Sequence, residues 1–103
     1  MIKHCVFLSL AKPDDFSVLE EPMRLLEGLS ADLPGMLDFG HGPNRDFENK
    51  TSSYQYGFVV TFADREASLA YEKHPVHQKA GELLIAACKG GYDGILVADI
   101  EAG

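Results

Sequence analysis

The sequence predicts an α+β protein with the ferredoxin-like order β-α-β-β-α-β, formed by residues 1–103 as a single domain. Three observations predict this class. Four short segments are rich in β-branched and aromatic residues and are bounded by turn residues, which is typical of strands. Two intervening segments repeat apolar residues at helical spacing, and Pro or Gly marks the junctions. This order predicts a four-stranded antiparallel sheet with the helices on one face.

The first strand and the first helix are separated by a turn. The strand is expected over Ile2–Leu10, where alternate residues fall on opposite faces and neither face is plainly polar. Ser17 stands three residues before Glu20, as in a capping box, so the helix is expected from there to about Asp32. Pro22 lacks an amide hydrogen and clashes with the preceding turn, which predicts a kink or a later helix start.

Two strands follow the first helix. Leu33-Pro34-Gly35 ends that helix, and a short strand is expected over Met36–His41. The Gly and Pro residues around its end predict a bulged or edge strand, because proline cannot donate to a central ladder. The strongest strand is expected over Tyr54–Phe62, with four aromatic residues and Val60 on one face. Asp64 then provides the N-cap of a short helix.

A proline divides the second helical segment. Pro75 suits the first position of a helix and His74 lies just before it, so one helix is expected to end and another to begin there. The later helix is expected from Val76 to about Lys89, where Gly90-Gly91 stops it. The last strand is expected over Tyr92–Ile100, with apolar residues on both sides.

The composition is that of an ordinary folded protein, with 46% hydrophobic and 24% charged residues. The formal net charge is −7, and the nine Lys and Arg residues form no cluster. Nucleic acids and anionic lipids both require clustered positive charge, so neither is an expected partner. The sequence has no secretory signal pattern and no apolar run of about 20 residues, so we expect a cytoplasmic protein. Cys5 and Cys88 are expected to be buried thiols.

The predicted sheet keeps apolar side chains on the face that the helices leave open. A sheet with one solvated face normally alternates apolar and polar residues, and this alternation is weak in the first, third and fourth strands. Large apolar patches mark interaction sites. We therefore expect a homodimer in which two copies meet through their sheet faces about a two-fold axis.

Tyr71 begins a Tyr-x-x-His-Pro-x-His run that ends at His77 and is the most specific motif of the chain. Weaker motifs occur in order along nearly the whole sequence: Ile2-Lys3-His4, Leu33-Pro34-Gly35, Tyr54-Gln55-Tyr56, Val59-Val60-Thr61-Phe62, Asp64-Arg65-Glu66 and Val97-Ala98-Asp99-Ile100. Together these runs resemble the stress-responsive A/B barrel (Dabb) domain family of the dimeric α/β-barrel superfamily. The resemblance implies a dimeric α/β barrel of two facing sheets, often with a ligand cavity between the sheet and the helices of each subunit.

The resemblance also implies site residues. Members of the family range from stress-induced plant proteins without a settled activity to a cofactor-free cyclase that performs an aldol condensation. In that cyclase a Tyr and a His of the Tyr-x-x-His-Pro-x-His pattern carry the acid–base steps, and the matching residues are Tyr71 and His77. Two further pocket histidines match His4 and Tyr56, so this chain departs from the cyclase at the second position.

The chemistry of these residue types fits such a role. Histidine has an unperturbed pKa of about 6.5, which suits His77 as a general acid or base. Tyr71 suits a hydrogen bond to a developing enolate oxygen. With His4, Tyr56, Phe58 and His74 as candidate ligand-binding residues, the pocket would suit a small apolar or carbonyl-bearing molecule. Carboxylates at metal-binding spacing are not evident, so no metal site and no cofactor are expected.

Two interpretations of the chain remain open. In the first, it is a homodimer that binds a small molecule and performs cofactor-free acid–base catalysis, as a cyclase or isomerase does, with Tyr71 and His77. In the second, it is a non-catalytic, stress-associated structural or interaction protein, in which His74 and Pro75 only begin a helix. A pocket that reaches Tyr71 and His77 would favour the first.

Overall fold

The computed structural model describes all 103 residues and contains the predicted β-α-β-β-α-β order, with the second helical segment divided in two. The elements are β1 (Ile2–Leu8), α1 (Glu20–Gly28), β2 (Met36–Pro43), β3 (Tyr56–Phe62), α2 (Arg65–Lys73), α3 (Pro75–Ala87) and β4 (Ile95–Glu101). Short 3-10 turns stand at residues 17–19, 29–31 and 91–94. No helix is both long and apolar enough to cross a lipid bilayer.

The four strands form one antiparallel sheet in the order β2-β3-β1-β4, which confirms the predicted fold class. The first strand is central, because β1 pairs with β3 on one side and with β4 on the other. Its register places His4 between Val60 of β3 and Asp99 of β4. Residues that are paired in this way point to the same face of a sheet, so His4 and Asp99 share a face.

The helices cover one face of the sheet, and the core lies between them. On β3 the alternation predicts the buried apolar residues, Tyr56, Phe58, Val60 and Phe62; Thr61, on the opposite face, is buried as well. They pack with buried side chains of β1 and of the helices in a single cluster of 16 residues. Tyr71 of α2 and Phe62 of β3 are the largest fully buried side chains, so the candidate tyrosine is part of the core.

The opposite face of the sheet is uncovered and largely apolar. Its central row contains Cys5, Val59 and Ala98, which are paired across β3, β1 and β4. Val59 is 41% exposed, and Leu96 and Ile100 of the same face are exposed as well. The neighbouring row carries the polar pair on this face, in which the Lys3 ammonium donates to the Thr61 hydroxyl at 2.9 Å.

The first helix begins differently from the prediction. The prediction of a Ser17–Glu20 capping box is wrong. The Ser17 hydroxyl donates to Asp15, and residues 17–19 form a 3-10 turn without a side-chain cap. Asp15 also accepts from the Ser17 amide, so both polar groups of Ser17 are bonded to this aspartate and the serine does not cap the helix. The later start expected from Pro22 is confirmed, because Pro22 lies in the first turn of α1, where amides lack helical partners.

The strands differ from their expected bounds mainly at their ends. The first strand stops at Leu8, and Leu10 forms an isolated bridge with Cys88. The second is an edge strand, which confirms that alternative of the prediction; its irregularity lies between Met36 and Asp38, whereas Gly40, Gly42 and Pro43 pair regularly with β3. The last strand begins only at Ile95, because Gly91–Gly94 forms a 3-10 turn.

A close approach fixes the second helix against the start of β2. A Cβ atom on Gly35 would lie 2.4 Å from the Cβ of Ala67, well inside any permitted contact. Glycine is therefore required by space at this position, and α2 sits directly on the backbone that enters β2.

The N-cap of α2 provides a test of the local structure. The Asp64 carboxylate accepts from the Ala67 amide at 2.9 Å. We expect Asp64→Ala to lower the free energy of unfolding by about 1 kcal/mol, measured by urea denaturation. Asp64→Ser keeps an accepting oxygen and should retain most of the stability; an equal loss in both variants would contradict the capping role.

Candidate functional site

Tyr71 and His77 meet because the helix breaks between them. Tyr71 lies near the end of α2 and His77 in the first turn of α3. Six residues apart on one continuous helix, they would point about 120° away from each other. His74 instead has extended backbone angles, with φ −67° and ψ 134°, so α2 ends and α3 begins at this residue. The two ring centroids consequently lie 4.5 Å apart.

His4 of β1 completes a group of three polar rings. Its ring centroid lies 5.9 Å from that of Tyr71, in an edge-to-face arrangement. Two phenylalanines of β3, Phe58 and Phe62, pack against the same imidazole at 6.4 and 6.2 Å. The Nδ1 atom of His4 lies 2.6 Å from Oδ1 of Asp99, its cross-strand neighbour. A polar cluster is therefore set within an aromatic environment.

Two polar atoms of this group are buried without a hydrogen-bond partner: the Tyr71 hydroxyl and the Nδ1 of His77. Most buried polar groups in folded proteins are paired, because an unpaired one costs about 1–3 kcal/mol. Exceptions call for an explanation, and functional sites are a common one. The two orphaned atoms belong to the two residues that the sequence motif singles out.

A cavity of about 320 Å³ lies beside this group, between the sheet and α3. Both His4 and His77 line it, and so do the carboxylates of Glu72 and Asp99. Tyr71 does not line the cavity; it packs against His4 and His77 instead. The apolar part of the wall comes from the sheet, α3 and the turn before β4: Val6, Phe58, Leu84, Ile85, Tyr92, Ile95 and Val97.

Burial sets the protonation of the tyrosine and the histidine. Burial lowers the pKa of His77, and the nearby His4 lowers that pKa further, although the backbone carbonyl and the carboxylate of Glu72 oppose the shift. Burial raises the pKa of Tyr71 well above its usual range. Near neutral pH the site therefore contains a neutral imidazole at His77 and a protonated phenol at Tyr71.

Two predicted ligand-binding residues lie elsewhere. Tyr56 lines a separate groove of about 250 Å³ against α1, where its hydroxyl lies 2.7 Å from Nδ1 of His41. His74 caps α3, since its Nδ1 accepts from the Val76 amide at 3.1 Å. Of the six candidates, the structure thus brings Tyr71, His77, His4 and Phe58 together and separates the other two.

Asp99 is the site residue that the sequence reasoning missed as a participant. It interrupts an apolar strand, and it stands on the same face as Ile95 and Val97, which line the cavity. A single carboxylate within such a strand is a signal that could have identified it. No group of three or more His, Cys, Asp or Glu side chains is arranged to hold a metal ion.

These features define a ferredoxin-like α+β protein with a cavity between its sheet and its helices. The sequence matches the stress-responsive A/B barrel (Dabb) domain over residues 2–102, so the chain belongs to that family, as its motifs predict. Among curated proteins, none matches the sequence significantly.

Three solved structures illustrate the similarity. A dimeric ferredoxin-like protein of unknown function from Jannaschia sp. CCS1 is 48% identical, with a TM-score of 0.93 over 98% of both chains. The Arabidopsis thaliana protein At3g17210 is 24% identical, with a TM-score of 0.81 over 100% of this chain and 96% of that chain. Hydroxynitrile lyase from Passiflora edulis is 16% identical, with a TM-score of 0.76 over 96% of this chain and 90% of that chain. At these lower identities the last two show the fold alone.

The unpaired hydroxyl of Tyr71 leads to a stability test. Because this hydroxyl has no partner, we expect Tyr71→Phe to leave the free energy of unfolding unchanged or to raise it by about 1 kcal/mol. Tyr56→Phe is the matched control: it removes a hydroxyl bonded to His41 and should cost about 1 kcal/mol. Equal losses in the two variants, measured by chemical denaturation, would show that the Tyr71 hydroxyl stabilises the fold.

Proposed function

We propose that this chain is a homodimer that binds a small apolar or carbonyl-bearing molecule and performs cofactor-free acid–base chemistry with Tyr71 and His77. One observation carries the proposal: a cavity is lined by His4 and His77, and Tyr71, whose buried hydroxyl has no partner, packs against both of these rings. A mostly apolar cavity with a few convergent polar groups is the usual form of a small-molecule site.

The arrangement favours a ligand that brings an oxygen atom between the imidazoles of His4 and His77. There the oxygen would meet the neutral imidazole of His77. The Tyr71 hydroxyl, which remains protonated, is buried outside the cavity lining, and a shift of the rings packed against it would bring it to the same oxygen. Both groups can donate to an oxygen that becomes negative when a proton leaves a neighbouring carbon. This is the requirement of an isomerase or an aldol cyclase, and it involves only proton transfer.

The comparisons support catalysis only in general terms. A lyase from Passiflora edulis has the same fold, but a shared fold does not transfer a reaction. The support for this chain comes from its own cavity and from the matching Tyr-x-x-His-Pro-x-His motif.

A non-catalytic role is the second candidate, and the geometry of His74 favours it. The imidazole of His74 caps α3 and its Nε2 lies 3.5 Å from the Asp32 carboxylate. Part of the motif therefore has a structural use, and the same explanation extended to His77 would remove His77 from the chemistry.

A thermal-shift screen of small metabolites separates these two candidates. A true ligand at about 100 times its Kd should add about 2.7 kcal/mol of stability to the wild type. We expect His77→Ala to lose this shift while its own melting temperature changes little. Gln78→Ala, an exposed neighbour on α3, should retain the shift. A large loss of stability in His77→Ala, without any ligand for the wild type, would favour the structural role.

The dimer is proposed from the uncovered sheet face. That face exposes Val59, Leu96 and Ile100, and apolar patches of this kind are usually buried against a partner. The relative from Jannaschia sp. CCS1 is described as dimeric, which supports the same assembly here.

A charge placed on that face should separate the subunits. Val59→Lys would bury an unpaired ammonium in the interface, so we expect a monomer by light scattering at micromolar concentration. Val18→Lys is the matched control. Val18 is 42% exposed, close to the 41% of Val59, but it lies on the helical side of the protein. A wild type that is itself monomeric would refute the assembly.

A further inference from the structure

We propose that His4, positioned by Asp99, accepts the proton that leaves the ligand's carbon, while His77 and Tyr71 donate hydrogen bonds to the ligand's oxygen. The inference rests on the proposed function and divides its acid–base roles among named atoms. It also adds Asp99, a residue outside the Tyr-x-x-His-Pro-x-His motif, as a positioning residue.

The contact with Asp99 determines which nitrogen of His4 is free. Nδ1 lies 2.6 Å from Oδ1 of Asp99, a distance typical of a strong bond to a carboxylate. An ionised carboxylate only accepts hydrogen bonds, so Nδ1 of His4 must carry a proton. In the neutral imidazole the other nitrogen, Nε2, then has a free lone pair. It has no hydrogen bond within the chain and is not among the buried unpaired atoms.

Asp99 also favours the charge that His4 gains when it takes a proton. An imidazolium beside a carboxylate is stabilised by the opposite charge, as in catalytic triads, where the aspartate holds the tautomer of the base. Both His4 and Asp99 line the cavity, so the pair faces the space where a ligand would bind. Aromatic packing from Phe58, Phe62 and Tyr71 fixes the plane of the His4 ring.

His77 has a different environment and therefore a different role. No carboxylate is bonded to its ring, and its buried Nδ1 makes no hydrogen bond of ordinary geometry, although the Glu72 carbonyl is near enough to favour the protonated ring. Burial lowers the pKa of His77, and a positive charge on His4 adds to the effect. A protonated His4 thus helps to keep His77 neutral, which suits a hydrogen-bond donor rather than a second base.

The proton transfer balances without a further reagent. A proton leaves the carbon next to the ligand's carbonyl and binds Nε2 of His4. The electron pair of that C–H bond forms a carbon–carbon double bond, and the carbonyl π pair moves to the oxygen, which His77 and Tyr71 stabilise by donating hydrogen bonds. His4 then returns the proton to carbon, and nothing is oxidised or reduced.

The first arm of the experiment examines the ligand-free protein by ¹⁵N NMR of the histidine rings at about pH 8.5, where imidazoles are neutral. In the wild type, His4 should show a protonated Nδ1 and a bare Nε2, and in Asp99→Ala this tautomer preference should be lost. Glu101→Ala removes a carboxylate on the same face of β4 and should leave the His4 spectrum unchanged. An unchanged His4 spectrum in Asp99→Ala would overturn the positioning role, whether or not a ligand is found.

The second arm measures proton transfer with a defined probe, the uncharged ketone phenylacetone, whose α-hydrogens exchange in D₂O. The wild type should accelerate this exchange, and His4→Gln should reduce the acceleration by about 100-fold or more while still binding the probe. Asp99→Ala should reduce it by about 10-fold. If His4→Gln fails to fold, Asp99→Ala still tests the role of His4, because Asp99 is an exposed residue.

The two proposals fail in different ways. Exchange that survives in His4→Gln and is lost in His77→Gln would overturn the role of His4 and leave the proposed function intact. A wild type that neither binds phenylacetone nor exchanges it would overturn proton abstraction from carbonyl compounds, and with it this inference.

Discussion

The register of the central strand is the constraint on which the rest of the structure depends. Because side chains alternate along a strand, a shift of one residue would move His4 from the helix-covered face to the open one. The same shift would exchange the core residues of β1 for those of the uncovered face. Pairing with β3 and β4 on both sides holds the strand in place. One set of backbone hydrogen bonds therefore determines the core, the cavity wall and the apolar open face together.

The interruption at His74 and Pro75 is the second requirement. Proline disfavours a helical conformation in the residue before it, so the chain turns there at little cost. The turn brings a phenol and an imidazole from two helices together, with their ring centroids 4.5 Å apart, and burial removes much of their contact with solvent. In that environment both side chains prefer their uncharged forms. A continuous helix would have kept only one of the two inside.

The sequence was sufficient to predict those structural elements whose cause lies in neighbouring residues. Alternating residues identify β3, an aspartate identifies the start of α2, and a proline identifies the break before α3. It was insufficient where two distant segments meet. His4 and Asp99 are 95 residues apart, and only the strand register brings them into contact. The prediction of the capping box failed for a local reason. Asp15 competes for the Ser17 hydroxyl, and the sequence pattern does not indicate which of the two hydrogen bonds forms.

The contact between Gly35 and Ala67 has a consequence for how the protein tolerates change. The two positions share room for a single methyl group. A side chain at position 35 therefore fits only if position 67 gives up its own, and the sizes of the two residues can change only in opposite directions. If they do not compensate, α2 must move away from the sheet and carry Tyr71 with it. A residue distant in sequence from the tyrosine thus limits where its ring can stand.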